Sequence, residues 1–335
     1  MTQEKTTAIA LFSGGLDSIL ACRVMMEQGV RVRAVQFVTP FFGYELLARE
    51  QEYRLQIKHQ YGIEVQVRDL SLQYIQLLRN PPHGFGKHFN PCVDCKILLI
   101  SEARRLFSEL GASFLISGEV IGQRPMSQRR DTLRIIERDS GCEGLLLRPL
   151  CAQALKPTQP ELDGRVDRER LLNLAGRTRT PQMELAARYG IQDYPSPAGG
   201  CVLTDPILAK RIARFYDEQA EFEPDDIRLL LAGRIFRLPQ GGLLAMGRNE
   251  KENEKITALL RPRDWVLRAA DRPGPLAVLR FSEDPSDLKA AAGLVARYSK
   301  KTGTREVPIQ ARSGERVLDF TAFPLPDDQF EAWKR

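Results

Sequence analysis

Residues 7–20, TAIALFSGGLDSIL, constrain this chain more than any other stretch. A short apolar run stops at Phe12, small residues turn the backbone, and a helical pattern begins near Asp17. An apolar strand, a glycine turn and a helix folding back form the first half of a βαβ unit. The pattern then recurs. RVRAVQFV (31–38), IEVQVRDL (63–70), ASFLISGE (112–119) and GLLLRPL (144–150) read as further buried strands. DSILACRVMMEQG, ELLAREQEYRLQIKHQYG and CKILLISEARRLFSELG carry apolar residues at helical spacing between them. Strand and helix in alternation predict an α/β domain over 1–150, a parallel sheet with helices on both faces.

From 151 to 206 the pattern loosens into a connector rich in Pro, Gly and Arg, ending in YPSPAGGCVLTDP. A smaller α+β unit is expected over 207–335. It opens with two helices, continues as a hairpin turning at Gly241–Gly242, and then has a helix at 249–260 followed by further strands. The 335 residues suffice for two cores.

Composition excludes some classes. MTQEKTTAIALF has no long apolar run behind a basic start, so neither a secretory leader nor a membrane span is expected. Six unevenly spaced cysteines without a leader argue against a disulfide framework and for a reducing cytoplasm. The net charge of +6 suits a phosphate-bearing partner such as RNA, although many enzymes are equally basic.

The turn at 13–18 carries chemistry. Gly14 and Gly15 let the backbone approach an anion, and the N–H groups opening the next helix point at it. Ser13 and Ser18 add hydroxyl donors, and Asp17 suits a magnesium ion that would itself hold phosphate. The ordinary alternative is a strand–helix turn that merely uses glycine. Its position, at the first carboxyl end of a parallel sheet where ligands bind, favours the phosphate reading.

SGGLDS resembles the pyrophosphate loop (PP-loop) of the N-type ATP pyrophosphatases, which cleave ATP between the α- and β-phosphates. ISGEVIGQRPMSQ (116–128) and LRPL (147–150) are similar to segments of the tRNA 4-thiouridine synthetases. That resemblance implies that Gly118, Glu119, Gln123 and Gln128 lie beside the nucleotide. From the residues alone, Glu119 is a polar group at a strand end and the two glutamines could equally be surface.

The motif NPCVDC (90–95) could be half of a zinc site, a redox pair, part of an iron–sulfur ligand set, or packing. With Cys201 it resembles thiolases in which three cysteines hold a [4Fe–4S] cluster and leave one iron open. The resemblance implies Cys92, Cys95 and Cys201 as ligands and catalytic groups. A persulfide carrier with a resolving cysteine stays open, as does zinc with Cys142, Cys151 or His88. Cys22, Cys142 and Cys151 are expected in the core.

GRIFRLPQGGLLAMGRN and the helix after it resemble the NFACT-R RNA-binding module. Arg234, Arg237, Arg248, Lys251, Lys255, Arg261, Arg263 and Arg268 could contact phosphates, as could Arg177, Arg179 and Arg188 of the connector. A solvated charged face is the alternative. Together the resemblances imply an ATP- and Mg2+-dependent tRNA uridine thiolase supplied by sulfide or a sulfur-donor protein. An ATP pyrophosphatase acting on a small molecule, and a nucleotide-gated RNA-binding factor, remain as rivals.

Overall fold

The computed structural model describes residues 6–195, 201–301 and 305–335. Contacts divide the chain into two units, Met1–Lys210 and Arg211–Arg335.

The first unit is built on five parallel strands: β1 (Thr7–Leu11), β2 (Arg31–Val38), β3 (Glu64–Asp69), β4 (Phe114–Ser117) and β5 (Leu146–Leu147). Their order is β3-β2-β1-β4-β5, with Ala10 of β1 opposite Ala34 on one side and Ile116 on the other. Alternate residues serve opposite faces. Ala8 and Ala10 join a core with Leu16, Ile19 and Leu20 of α1 (Leu16–Glu27), whereas Ile9 and Val35 pack with Ile100 and Ala103. Both faces are therefore covered, and the central strands β1 and β4 lack a polar side, whereas the edge strand β3 alternates.

Each of the five expected strands is present, β2 with the bounds expected of it and the other four shortened. The alternation of apolar runs was enough to place them, since only buried strands read as continuous hydrophobic stretches. Several helices of this unit escaped the sequence reading, among them α3 (Ser71–Arg79), which comes after α2 (Glu50–Tyr61) and β3, then Arg130–Asp139 and Thr180–Arg188. The stretch 151–206 differs most from expectation. Val166, Leu171, Leu185, Ala186 and Ile191 are buried in the same core as α1, so most of the connector is a structured part of the first unit. Its apolar residues are too widely spaced by Pro, Gly and Arg to show a period.

The second unit is a six-stranded antiparallel sheet in the order β11-β10-β8-β9-β7-β6. The strands are β6 (Arg234–Arg237), β7 (Leu243–Met246), β8 (Trp265–Ala269), β9 (Ala277–Arg280), β10 (Val307–Ser313) and β11 (Arg316–Ala322). The helix Pro285–Tyr298 buries Ala291, Ala292, Leu294 and Val295 in the core of this sheet. The expected hairpin joins β6 to β7, and the fully buried Asp287 carboxylate accepts from the turn N–H groups of Gln240 (3.0 Å) and Gly242 (2.9 Å). No helix among the described residues is long and apolar enough to cross a membrane.

A buried ionic knot sits beneath this sheet. Arg280 donates to Asp226 (2.8 Å) and through two nitrogens to Asp264 (2.9 and 2.6 Å), with all three side chains at most 4% exposed. Removing the cation leaves two carboxylates buried with reduced pairing, so Arg280→Met should cost the second unit about 3–5 kcal/mol. Urea unfolding of the full chain should show one transition displaced to lower denaturant and the other unmoved.

Candidate active site

Strand order reverses at β1. Its neighbours β2 and β4 lead the chain away in opposite directions, and the crevice outside their carboxyl ends is where such sheets bind ligands. The turn at 13–18 closes one side of this crevice and the segment after β4 closes the other.

In the turn, Gly14 has φ +72°, a left-handed conformation that L side chains rarely adopt. Ser18 Oγ donates to the Gly15 carbonyl (2.7 Å) and accepts from the Ser13 N–H (3.3 Å), so Ser18 braces the loop from within. The two strand ends meet at Gly118. A Cβ there would lie 2.5 Å from the Asp17 carbonyl oxygen, so glycine is required for β4 to pass the start of α1.

Gln123 reaches across the crevice, and its Nε2 donates to Asp17 Oδ2 at 2.8 Å. Arg179 Nη2 lies 4.0 Å from the same oxygen. Asp17 Oδ1 and Gln123 Oε1 are buried without a hydrogen-bond partner. Two orphaned oxygens at a phosphate turn are the donor type that a hard cation takes, so these residues fit magnesium.

Glu119 and Gln128 have different surroundings. Glu119 is 3% exposed; its Oε2 accepts from Arg148 Nε (3.0 Å), and Lys96 Nζ stands 3.6 Å from Oε1. Burial alone would raise its carboxyl, but Lys96 and Arg148 outweigh it and hold the group below its ordinary value. Gln128 is buried and its Oε1 accepts from the Arg124 N–H at 3.0 Å, which shapes the loop 122–128.

The cysteines lie on the other side of that loop. Cys92 and Cys95 occupy the first turn of α4 (Cys92–Arg105), and Cys201 comes back to them from 106 residues downstream. All three are unpaired and half-buried. Burial pushes the Cys201 thiol up to about 11; the Leu203 N–H and Arg124 work against that, while Cys95 and Cys92 add to it. Burial likewise raises Cys95, opposed by Lys96 and by a hydrogen bond from the Tyr74 hydroxyl. Asn90 Nδ2 donates to Cys92 Sγ at 3.2 Å. Among the described residues no three His, Cys, Asp or Glu side chains converge as ligands of one metal ion. A cluster makes a different demand, because each thiolate binds a separate iron. Glycines 199 and 200, expected to bring Cys201 close to a cofactor, lie outside the described residues.

Sequence reasoning missed several of these neighbours. Tyr74 belongs to an unforeseen helix and gave no signal. Asn90 and Lys96 border the cysteine motif directly and could have been suspected from adjacency. Arg179 was assigned to RNA phosphates but stands at Asp17. His83, which gave no sequence signal, links the loop before the motif to Asp94 (2.7 Å) and Asp139 (3.0 Å). Cys22, Cys142 and Cys151 are all buried, as expected.

In the second unit the expected basic set divides. Arg237 pairs with Glu218 (3.6 Å), Arg261 with Glu223 and Asp226, and Arg248 with Glu252. Arg234 stacks over the Tyr298 ring at 4.6 Å. Lys251, Lys255, Arg263 and Arg268 are exposed. Arg268 borders a groove of about 460 Å³ with Gln310 and Arg312, the last a residue that sequence reasoning did not single out.

Residues 2–156 match the family described as Thiamine biosynthesis protein (ThiI), and residues 233–334 match the NFACT protein RNA binding domain. A probable tRNA sulfurtransferase of Thermococcus kodakarensis is 30% identical over 140 residues, 42% of this chain and 35% of that protein. A tRNA sulfurtransferase of Marinobacter nauticus is 24% identical over 232 residues, 68% of this chain and 42% of that protein. The chain thus spans well under half the length of these relatives. A 4-thiouridine synthetase solved with RNA and bound ATP aligns over 56% of this chain and 41% of its own, at 22% identity and TM-score 0.38.

Two measurements test the site. Gly118→Ala should destabilise the protein by about 1–3 kcal/mol, because the added methyl must displace backbone at Asp17, and should weaken ATP binding in calorimetry. Since the Glu119 carboxyl is held below its ordinary 4.5, its pairing stabilises the fold above that pH and is lost as pH falls through the folded value. Glu119→Gln should therefore lower stability at pH 7 and flatten the acid limb of the stability–pH curve.

Proposed function

We propose that this chain is an ATP-dependent tRNA uridine thiolase with a [4Fe–4S] cluster on Cys92, Cys95 and Cys201. One observation supports this most. The loop 118–128 meets the phosphate turn through Gln123 on Asp17, and the cysteines through Arg124 beside Cys201. Nucleotide activation and thiol chemistry thereby share one crevice, as required if a substrate atom is first adenylated and then displaced by sulfur. The ThiI-family domain and the relatives named tRNA sulfurtransferase point the same way.

In this reading the turn Ser13–Ser18 and the N-terminus of α1 receive the pyrophosphate of ATP. Asp17 and Gln123 would hold Mg2+ through their unpartnered oxygens, and Arg179 adds positive charge against the phosphates. Glu119 and Gln128 then act through position, Glu119 by tying Lys96 and Arg148 to the end of β4 and Gln128 by shaping the loop. The uridine carbonyl oxygen attacks the α-phosphorus; an O–P bond forms, the α–β anhydride breaks and pyrophosphate leaves. Sulfide, free or from a donor protein, next adds at the activated carbon, and the C–O bond breaks to release AMP.

Cys92, Cys95 and Cys201 fit the cluster because they are free thiols brought together from two distant segments, with no fourth cysteine among them. When bound, the cluster supplies an iron without a protein ligand, where a sulfide can be held. The protein's part is to bring the three thiols together, with Tyr74 and Asn90 donating to sulfur, and to deliver Cys201 on the segment 151–206. The exposed Lys251, Lys255, Arg263, Arg268 and Arg312 of the second unit support contacts to the tRNA backbone, and the target base must leave its stack to reach the crevice. A tRNA substrate would place this work in the cytoplasm.

Protein purified without oxygen should carry about four irons. Cys92→Ala, Cys95→Ala or Cys201→Ala should each lose iron and thiolation together, while Cys22→Ala and Cys142→Ala retain both. Asp17→Asn should stop tRNA-dependent pyrophosphate release with the circular dichroism unchanged. Mass spectrometry of tRNA nucleosides reads the thiolation. An anaerobic preparation holding zinc and no iron, yet fully active, would sink the cluster assignment.

A further inference from the structure

The loop Pro81–Pro91 leads into the cysteine helix, and its aromatic pair has no role in the chemistry described above. Phe85 and Phe89 stack with ring centroids 4.5 Å apart and planes 19° from parallel. Phe85 is nonetheless 41% exposed, and Met126 beside this loop is 36% exposed. Together they form an apolar surface at the mouth of a polar site.

That surface is held rigidly. Gly86 donates its N–H to the Asn90 carbonyl (3.0 Å) and His88 donates its own to Asn90 Oδ1 (3.0 Å). A Cβ on Gly86 would lie 2.5 Å from Met126 Sδ, so Met126 is seated directly on the loop. His83 pins the loop to Asp94 of α4 and to Asp139. Asn90 Nδ2 contacts both Met126 Sδ (3.5 Å) and Cys92 Sγ (3.2 Å), which places the apolar surface one side chain from the cysteines.

We infer that Phe85, supported by Phe89 and flanked by Met126, is a stacking surface for an unstacked nucleobase of the RNA substrate. This rests on the proposed function and deepens it, by naming the group that receives a base beside the thiols. Three features favour a base over a protein surface. A planar ring with one face covered by a second ring leaves its other face for a planar ligand. The exposed Lys87 and Arg124 flank the patch, where the backbone phosphates on either side of a splayed base would run. The patch also adjoins the reacting sulfurs, where an extruded uridine or its neighbour must arrive. A base stacked on an aromatic side chain and read by no fixed hydrogen bond matches recognition of an unpaired nucleotide.

The test uses the full chain and two fluorescein-labelled oligomers of equal length, an oligouridylate and an abasic oligomer with the same phosphates. The parent should prefer the oligouridylate. Phe85→Ala should raise its Kd roughly tenfold or more, toward that of the abasic oligomer, whose own affinity stays unchanged. Phe85→Tyr should restore the preference, and a 5-iodouridine oligomer should photo-crosslink to Phe85, Phe89 or Met126. Equal Kd values for parent and Phe85→Ala, with crosslinks elsewhere, would overturn the inference. So would an unchanged RNA Kd with slower transfer from a protein sulfur donor, which would make the patch a protein dock. Loss of uridine preference in a chain that fails to thiolate tRNA would count against the proposed function and leave the stacking surface standing.

Discussion

The close passage of β4 across the start of α1 is the constraint on which the rest of the first unit depends. A side chain at Gly118 would strike the Asp17 carbonyl at 2.5 Å, so the two strand ends can converge only because that position has none. Convergence brings the segment after β4 over the phosphate turn. It also sets Gln123 on Asp17 and leaves Asp17 Oδ1 and Gln123 Oε1 buried without partners. Buried polar atoms without partners are costly in a folded chain. They are tolerable where a ligand or ion completes them, and so they mark the same crevice that the strand order marks independently.

The same loop reaches the cysteines, and the two sides of the crevice differ electrostatically. On the Asp17 side, Arg179 faces the carboxylate, and Lys96 and Arg148 surround Glu119. On the cysteine side, burial raises the Cys95 and Cys201 thiols despite Lys96 and Arg124, so they keep their protons at neutral pH. Any cation that binds there must displace those protons, which couples occupancy of the thiol site to pH. Tyr74 and Lys96 favour the thiolate of Cys95, and Asn90 donates to Cys92 Sγ. Their placement depends on α3, on the loop Pro81–Pro91 and on α4 packing together.

In the second unit, the fold itself consumes part of the positive charge. Arg280, Arg261 and Arg237 neutralise carboxylates, while Arg268, Arg263 and the lysines of the helix Glu250–Thr257 point outward. Charge counting cannot separate these two groups, since an arginine committed to Asp226 and one facing solvent look alike in a sequence. Only the outward set is open to a partner, and of it Arg268 lines a groove together with Arg312.

What the sequence determined by itself was whatever rests on local order. The five strands were legible because their apolar residues either run continuously, as in β1 and β4, or alternate with polar ones, as in β3, between helical patterns. The strand–turn–helix at 7–27 was legible because glycines, serines and an aspartate fall between an apolar run and a helical pattern, and the hairpin because Gly241–Gly242 interrupts two apolar runs. Tertiary structure alone decided the contacts across long separations. Gln123 meets Asp17 over 106 residues, Arg179 meets Asp17 from a stretch with no period, and Cys201 returns to α4 from beyond the sheet. It also decided that Glu119 and Gln128 face inward, and that Tyr74 lies against Cys95. The physical reason is that periodicity records which face of an element is buried. The partner met on that face is set by strand order and by where a glycine allows two backbones to touch.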